Sequence, residues 1–173
     1  MRLRPATLHA LRRGPVLVPV NLLGLPDRIT ALGETWHVKA EHHVTAIDPP
    51  WLAERLGRDL EEVWAAVAAT LDEVDAGAVE LHRELRRVER DGERTLVVMG
   101  TVAGFDDLYA TLGGRLGATV EPPPAHVTLY TDAPGGPGIG LHDPAELAAL
   151  TRVLDPGETA EVRAAADLAR LGL

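Results

Sequence analysis

Hydrophobic and polar residues alternate along two stretches of the chain, which is the pattern of a strand with one buried face. The first stretch spans residues 36–47 and the second spans residues 125–131, and we expect one strand in each. A short apolar run at residues 16–23 predicts a further strand. Pro19 places that strand at a sheet edge or a bulge, because proline cannot donate a hydrogen bond to the ladder. Residues 25–33 contain proline and glycine and are expected to form a loop.

Apolar positions three and four residues apart predict helices in the middle and at the end of the chain. The longest of these patterns covers residues 51–74. Gly57 divides it into a short and a long helix, and Asp59 is placed to cap the second one. Three further helices are expected, at residues 105–116, 144–154 and 158–171.

A hairpin is expected between these helices, with its strands in residues 79–90 and 95–102. Asp91-Gly92 supplies the turn, since these residue types tolerate the backbone conformation of a two-residue hairpin turn. Hairpins mixed with helices predict an α+β fold rather than a doubly wound α/β sheet. The length of 173 residues fits one domain, or two small lobes that share a core.

Composition narrows the chemistry that the chain can carry. The absence of cysteine excludes disulfides, cysteine nucleophiles and cysteine-ligated metal sites, and the absence of serine excludes a Ser-His-Asp hydrolase. The net charge of −9 argues against long nucleic acid as a partner, because phosphate neutralisation needs clustered Lys and Arg. No apolar run reaches the length of a membrane span or of a signal-peptide core. We therefore expect a cytoplasmic protein that does not bind membranes.

The tripeptide His-Val-Thr occurs twice, once in each of the two alternating stretches. Side chains two positions apart point to the same face of a strand, so His43 shares a face with Thr45, and His126 shares one with Thr128. If the two strands lie side by side, two imidazoles and two hydroxyls converge on one site.

Such a site has the groups needed to open a cyclic phosphodiester. One imidazole can activate water as a base while the other protonates the leaving oxygen, because both titrate near neutral pH. Threonine hydroxyls can donate hydrogen bonds to the non-bridging phosphate oxygens. This reaction needs no metal ion, no cofactor and no covalent intermediate.

The two motifs resemble those of the two-histidine (2H) phosphoesterase superfamily, which includes the LigT-like RNA 2′,3′-cyclic phosphodiesterases. The matching residues are His43-Val44-Thr45-Ala46 and His126-Val127-Thr128-Leu129. The order of helix, hairpin, short helix and proline-rich lead between the motifs is also similar, so the resemblance covers residues 36–131. Ala46 stands where a larger apolar residue is common in the family.

The resemblance implies a bilobal α+β fold, with mostly antiparallel sheets lining a central cleft and helices outside. It implies a hydrolase of RNA processing in which His43 and His126 are catalytic and Thr45 and Thr128 bind phosphate. The expected partner is a small cyclic nucleotide or a short RNA end, and we expect a monomer. The implied parts are a first lobe at residues 1–77, a second lobe at 78–142 and a helical tail at 143–173.

A few other polar residues near the motifs are candidates for contact with a substrate. Lys39 is the only lysine of the chain and lies on the His43 face of the expected strand, where it could approach a phosphate. Tyr130 lies on the His126 face and could stack on a base. His37 and His42 are interpreted as structural, and His142 has no partner motif.

Two alternatives remain open at this stage. The chain could be a metal-dependent protein of the vicinal-oxygen-chelate (glyoxalase-like) type, in which His43 and His126 would be metal ligands beside glutamates. It could also be a catalytically silent relative that only binds a ligand. The early helix and the lack of a clear glutamate ligand on a late strand count against the metal-dependent interpretation.

Overall fold

The structure, a computed structural model, describes residues 14–173. In this part of the chain, helices and antiparallel strands are mixed, so the fold belongs to the α+β class that the sequence predicts. The strands are β1 (Val16–Pro19), β2 (Arg28–Ala31), β3 (Glu34–Val38), β4 (His43–Ile47), β5 (Val79–Arg90), β6 (Glu93–Val102), β7 (His126–Thr131) and β8 (Thr151–Val153). The helices are α1 (Pro49–Leu56), α2 (Leu60–Glu73), α3 (Phe105–Leu116), α4 (Pro144–Leu150) and α5 (Pro156–Ala165), followed by a 3-10 helix at Leu168–Leu171.

Six strands form one sheet in the order β2-β3-β7-β6-β5-β8, and β1 pairs with β4 in a separate ladder. The large sheet takes strands from both sides of the expected lobe boundary at residues 77 and 78. Its β5–β6 hairpin turns at Asp91-Gly92, and both turn residues have positive φ, as the sequence predicts. The two His-Val-Thr motifs therefore lie in different sheets, on β4 and on β7.

The alternating stretch at residues 36–47 forms two strands, so the prediction of a single strand is wrong. β3 pairs with β7, with His37 opposite Thr131, whereas β4 pairs with β1. Where the chain leaves the large sheet, the amide of Lys39 donates to the carbonyl of Leu129 at 2.9 Å. Trp36 of β3 and Val44 and Ala46 of β4 are buried and all even-numbered, so the period of two continues across the break and hides it.

Part of the expected loop at residues 25–33 is the strand β2. It forms a hairpin with β3 through Leu32 and Gly33, whose φ values of 57° and 72° fit a two-residue turn with a left-handed backbone. The amide of Leu32 donates to the carboxylate of Glu161 on α5 at 2.8 Å. This contact from a distant helix supports leucine in a conformation that it rarely adopts, and the local sequence carries no signal for it.

The central helices follow the predicted pattern closely. Gly57, with a φ of 62°, ends α1, and Asp59 caps α2 by accepting a hydrogen bond from the amide of Glu61 at 2.8 Å. At the C-terminus, residues 151–153 were expected to continue a helix but form β8 beside β5. Among residues 14–173, no helix has both the length and the apolarity needed to cross a membrane.

The two faces of the large sheet are covered by different groups of side chains. One face packs against the main core, to which α1, α2, α3 and α5 contribute. On the other face, Met99 of β6 packs in a smaller cluster with Ile139 and Leu141, which belong to the segment after β7. His126 is the ladder partner of Met99, so the second motif lies on the face that residues 132–143 cover.

Candidate functional site

The side chains of both His-Val-Thr motifs line one cavity of about 660 Å³. His43 and Thr45 reach it from β4, and His126 and Thr128 reach it from β7. The two strands are close, with Cα atoms of one within 8 Å of Cα atoms of the other. The repeated motif predicts this convergence if the two strands lie side by side, and the structure brings the four residues together.

His126 is held in one tautomer by the backbone beside it. His126 is 7% exposed, and its Nδ1 lies 2.8 Å from the carbonyl oxygen of Pro124. A carbonyl only accepts, so Nδ1 carries the proton and Nε2 of the neutral ring is an acceptor. Burial lowers the pKa of His126, opposed by the backbone of Pro124 and of Ile139. The neutral, basic form is therefore favoured.

His43 is more accessible than His126 and lies among charged groups. Burial lowers the pKa of His43, and the ammonium of Lys39 lowers it further, while the carboxylate of Glu41 opposes both. The charge of His126 adds a smaller lowering of the same pKa. The two imidazoles are therefore coupled, and protonation of one makes protonation of the other harder.

Thr128 lies under the glycine-rich segment that follows β7. Its side chain is 9% exposed, and Gly138 packs so closely on it that a Cβ at this glycine would lie 2.9 Å from the hydroxyl oxygen. Thr45 of β4 is half-buried and lines the same cavity. The cavity thus has one hydroxyl from each of the two strands.

A third histidine, His142, lines the same cavity and had no role in the sequence analysis. Its Nε2 lies 3.2 Å from a carboxylate oxygen of Asp48, and its Nδ1 lies 2.9 Å from one of Glu146. The ring stacks on Trp51 with centroids 5.0 Å apart and planes 8° apart. Hydrogen bonds to Asp48 and Glu146 raise the pKa of His142 against the effect of burial, which favours the imidazolium.

The sequence offers little signal for this third histidine. His142 belongs to no repeated motif, and the side chain that it meets across the cavity, Asp48, is 94 residues away. Asp48 itself is recognisable only as the N-cap of a helix that begins with two prolines. Only the tertiary fold brings the two groups together.

The remaining charges of the cavity come from Lys39, Glu41 and Glu121. Lys39 lies in the wall as expected, and its Nζ donates to the carbonyl of Gly136 at 3.0 Å. This contact joins the glycine-rich segment to the link between β3 and β4. The carboxylates of Glu41, Asp48 and Glu121 are thus balanced by two positive groups, the ammonium of Lys39 and the imidazolium of His142.

Tyr130 is a core residue and does not reach the cavity, contrary to the expectation that it could stack on a base. The ladder with β6 passes from Thr128 directly to Tyr130, so Leu129 is the extra residue of a β-bulge. A bulge disturbs the alternation of sides, and the ring of Tyr130 is fully buried. Its hydroxyl donates to the carbonyl of Pro26 at 3.3 Å, and burial raises the pKa to about 12.

The other two histidines near the first motif lie outside the cavity lining. His37 is part of the β3–β7 ladder, and its carbonyl accepts from the hydroxyl of Thr131 at 3.5 Å. His42 is half-buried, and burial lowers its pKa. Neither histidine therefore takes part in the cavity.

Within the described part of the chain, no group of three or more His, Asp or Glu side chains is arranged to hold a metal ion. These residues therefore do not supply the set of ligands that the metal-dependent alternative requires. Comparison with protein-family models, with curated proteins and with solved structures found no significant match. The resemblance to two-histidine phosphoesterases rests on the two motifs and on the order of the elements between them.

Proposed function

We propose that this chain is a metal-independent phosphoesterase of the two-histidine kind, which opens a 2′,3′-cyclic phosphate or a related small cyclic phosphate. The observation that carries the proposal is the shared cavity, into which both His-Val-Thr motifs point. Two imidazoles and two hydroxyls around one space form a minimal set for acid–base attack on a phosphodiester.

The surroundings of the two histidines suggest which one is the base. His126 has a fixed tautomer with Nε2 as acceptor, so it takes the proton of the attacking water. The water oxygen bonds to phosphorus, and the bond from phosphorus to one ribose oxygen breaks. His43, the more accessible of the two, gives its proton to that leaving oxygen. Thr45 and Thr128 hold the non-bridging oxygens.

The charges of the cavity favour a substrate with a single negative charge. A cyclic phosphodiester carries one charge, whereas the monoester product carries nearly two near neutral pH. The carboxylates of Glu41, Asp48 and Glu121 repel the more highly charged product more strongly than the singly charged substrate. This repulsion assists product release. The net charge of −9 disfavours long RNA for the same reason.

The size of the cavity fits a nucleotide and not a nucleic-acid duplex. Ligand cavities of about 300–1,000 Å³ hold small molecules, and this one lies within that range. Its apolar wall can take a base, since Trp51, Leu52 and Tyr109 line it. We accordingly propose a cyclic nucleotide or a short RNA end as partner, and a monomer in a bilobal arrangement that acts in the cytoplasm.

A hydrolysis panel tests the proposal. Purified protein is incubated with the four nucleoside 2′,3′-cyclic monophosphates, with a 3′,5′-cyclic nucleotide and with a phosphomonoester, each with and without EDTA. We expect chromatography to show monoester products from the first group, with unchanged rates in EDTA. If no cyclic phosphate is hydrolysed, only a ligand-binding role remains. If EDTA abolishes the activity and Mn²⁺ or Zn²⁺ restores it, the metal-independent mechanism is contradicted.

His82 offers a matched control for the two catalytic candidates. It is an exposed histidine on β5 and does not line the cavity. His43→Gln and His126→Gln should abolish most turnover, whereas His82→Gln should leave it unchanged. Equal activity in all three variants would assign any hydrolysis to a contaminant.

A further inference from the structure

His142 is enclosed on several sides, and each contact joins it to a different part of the cavity wall. Its Nε2 faces Asp48, which caps α1 directly after β4. Its Nδ1 faces Glu146 in the first turn of α4, and its own backbone amide donates to the same carboxylate at 2.8 Å. Trp51 of α1 covers one face of the ring. The imidazole thus bridges the helix after the first motif and the helix after the second.

The segment just before His142 forms the wall over the second motif. Gly138 packs on Thr128, and the backbone of Ile139 lies within hydrogen-bonding reach of His126. Gly140 lies against the ring of His142, where a Cβ would be 3.2 Å from the ring carbon Cε1. His142 follows Ile139 and Gly138 after only a few residues. A displacement of His142 would therefore be transmitted along this short segment to His126 and Thr128.

We propose that His142 is a positioning residue, which fixes the wall over His126 and Thr128 against the helix that follows the first motif. This inference rests on the proposed function and adds a residue to it. Both ring nitrogens are engaged with carboxylates and one ring face is covered by Trp51. His142 therefore has no N–H left for a phosphate, which separates its role from that of the two motif histidines.

The bridge requires a protonated ring to be complete. An imidazolium donates from both nitrogens, whereas a neutral ring donates from only one. The charged and titratable groups around it are Asp48, Glu146 with its ion-pair partner Arg90, and His126. The two carboxylates hold the pKa of His142 above its ordinary value, so on the alkaline side the bridge should weaken as the pH rises through that raised pKa.

The test compares the full-length protein with His142→Gln and with His82→Gln as the matched control. Imidazole signals in nitrogen-15 NMR spectra are followed against pH together with the amide signals of residues 138–142. We expect His142→Gln to shift the titration midpoint of His126 and the amide signals of the wall, and His82→Gln to leave both unchanged. Unaltered His126 and wall signals in a folded His142→Gln protein would overturn the proposal.

Kinetics on a 2′,3′-cyclic nucleotide provide the second readout. A misplacement of about 1 Å in a catalytic group costs about a hundredfold in rate, so kcat of His142→Gln should fall about ten- to a hundredfold while KM changes much less. In the wild type, activity should first fall as the acid His43 loses its proton, and the titration of His142 should add a second loss at higher pH, because its pKa is raised. His142→Gln should lack that second loss. A pH profile identical to wild type would contradict a positioning role.

The two arms separate failure of this inference from failure of the proposed function. If the wild type hydrolyses no cyclic phosphate, the proposed function is wrong, and the NMR arm still decides whether His142 positions the wall. If His142→Gln does not fold, Glu146→Gln removes one charge of the bridge and keeps the ring. That variant should lower the titration midpoint of His142 and shift the signals of residues 138–142; absence of both changes would overturn the proposal.

Discussion

Replacement of Gly138 by alanine should remove the Thr128 hydroxyl from the cavity without unfolding the protein. The new Cβ would lie 2.9 Å from the hydroxyl oxygen and 3.6 Å from the Cβ of Thr128. The first distance is about half an ångström shorter than an ordinary van der Waals contact, and the second is acceptable. Rotation about χ1 moves the oxygen to another staggered position and relieves the clash at small cost.

The expected loss follows from the one hydrogen bond that Thr128 would give to the phosphate. A hydrogen bond to a charged group contributes about 1.5–3 kcal/mol, and each 1.36 kcal/mol is tenfold in rate. We therefore expect kcat/KM on a 2′,3′-cyclic nucleotide to fall about 10- to 150-fold in Gly138→Ala. Thr128→Val removes the same hydroxyl directly and should lose a similar factor.

The double variant decides whether the two substitutions act on one interaction. Because both remove the same hydroxyl, Gly138→Ala combined with Thr128→Val should lose little more than either variant alone. Gly114→Ala is the matched control, since its Cβ would meet no atom within 4 Å and alanine stabilises a helix by about 0.5–1 kcal/mol over glycine. Multiplicative losses in the double variant, or normal kinetics in Gly138→Ala, would refute this reasoning.

Three further predictions concern stability. Tyr109→Phe should lower the free energy of unfolding in urea by about 1–3 kcal/mol, because the buried hydroxyl donates to the carbonyl of Ala46 at 2.6 Å; no change in the midpoint would contradict this. Tyr130→Phe should cost about 0.5–1 kcal/mol, since its hydrogen bond is longer; a loss as large as that of Tyr109→Phe would contradict the comparison. The folded-state pKa of His142 is raised and that of Asp48 is lowered. The stabilisation by their pair should therefore be lost as the pH rises above the pKa of His142 and as it falls below the pKa of Asp48. Melting curves of wild type and His142→Gln against pH check this, and a constant difference in Tm would argue against the pair.

Local patterns predicted the parts of the fold that depend on neighbouring residues. The hairpin at residues 79–102, the division of the first long helix at Gly57 and the helix at 105–116 follow from turn residues and apolar spacing, and the structure has all three. The convergence of both motifs needed one more assumption, that their strands lie side by side. The two strands do not pair with each other, but they lie close enough for both motifs to line one cavity.

Features that depend on distant contacts could not be predicted in this way. The break between β3 and β4 leaves the alternation intact, and the bulge at Leu129 reverses the side of Tyr130 without any glycine or proline to mark it. His142 has its partner Asp48 on another element, far away in the sequence. In each case the deciding interaction comes from the tertiary fold, so local propensity carries no trace of it.

The most direct test of the two-histidine mechanism is the steady-state kcat of His43→Ala, His126→Ala and the double variant on a 2′,3′-cyclic nucleotide. A positioned acid or base contributes about 10²–10⁴-fold, so each single variant should lose about that factor. Because both groups act in one step, the double variant should lose less than the product of the two losses. The thermal melt of His43→Ala should stay close to that of the wild type, whereas His126→Ala should melt somewhat lower, because it also loses the buried hydrogen bond to Pro124. Near-normal kcat in either single variant with a native melt would contradict the mechanism.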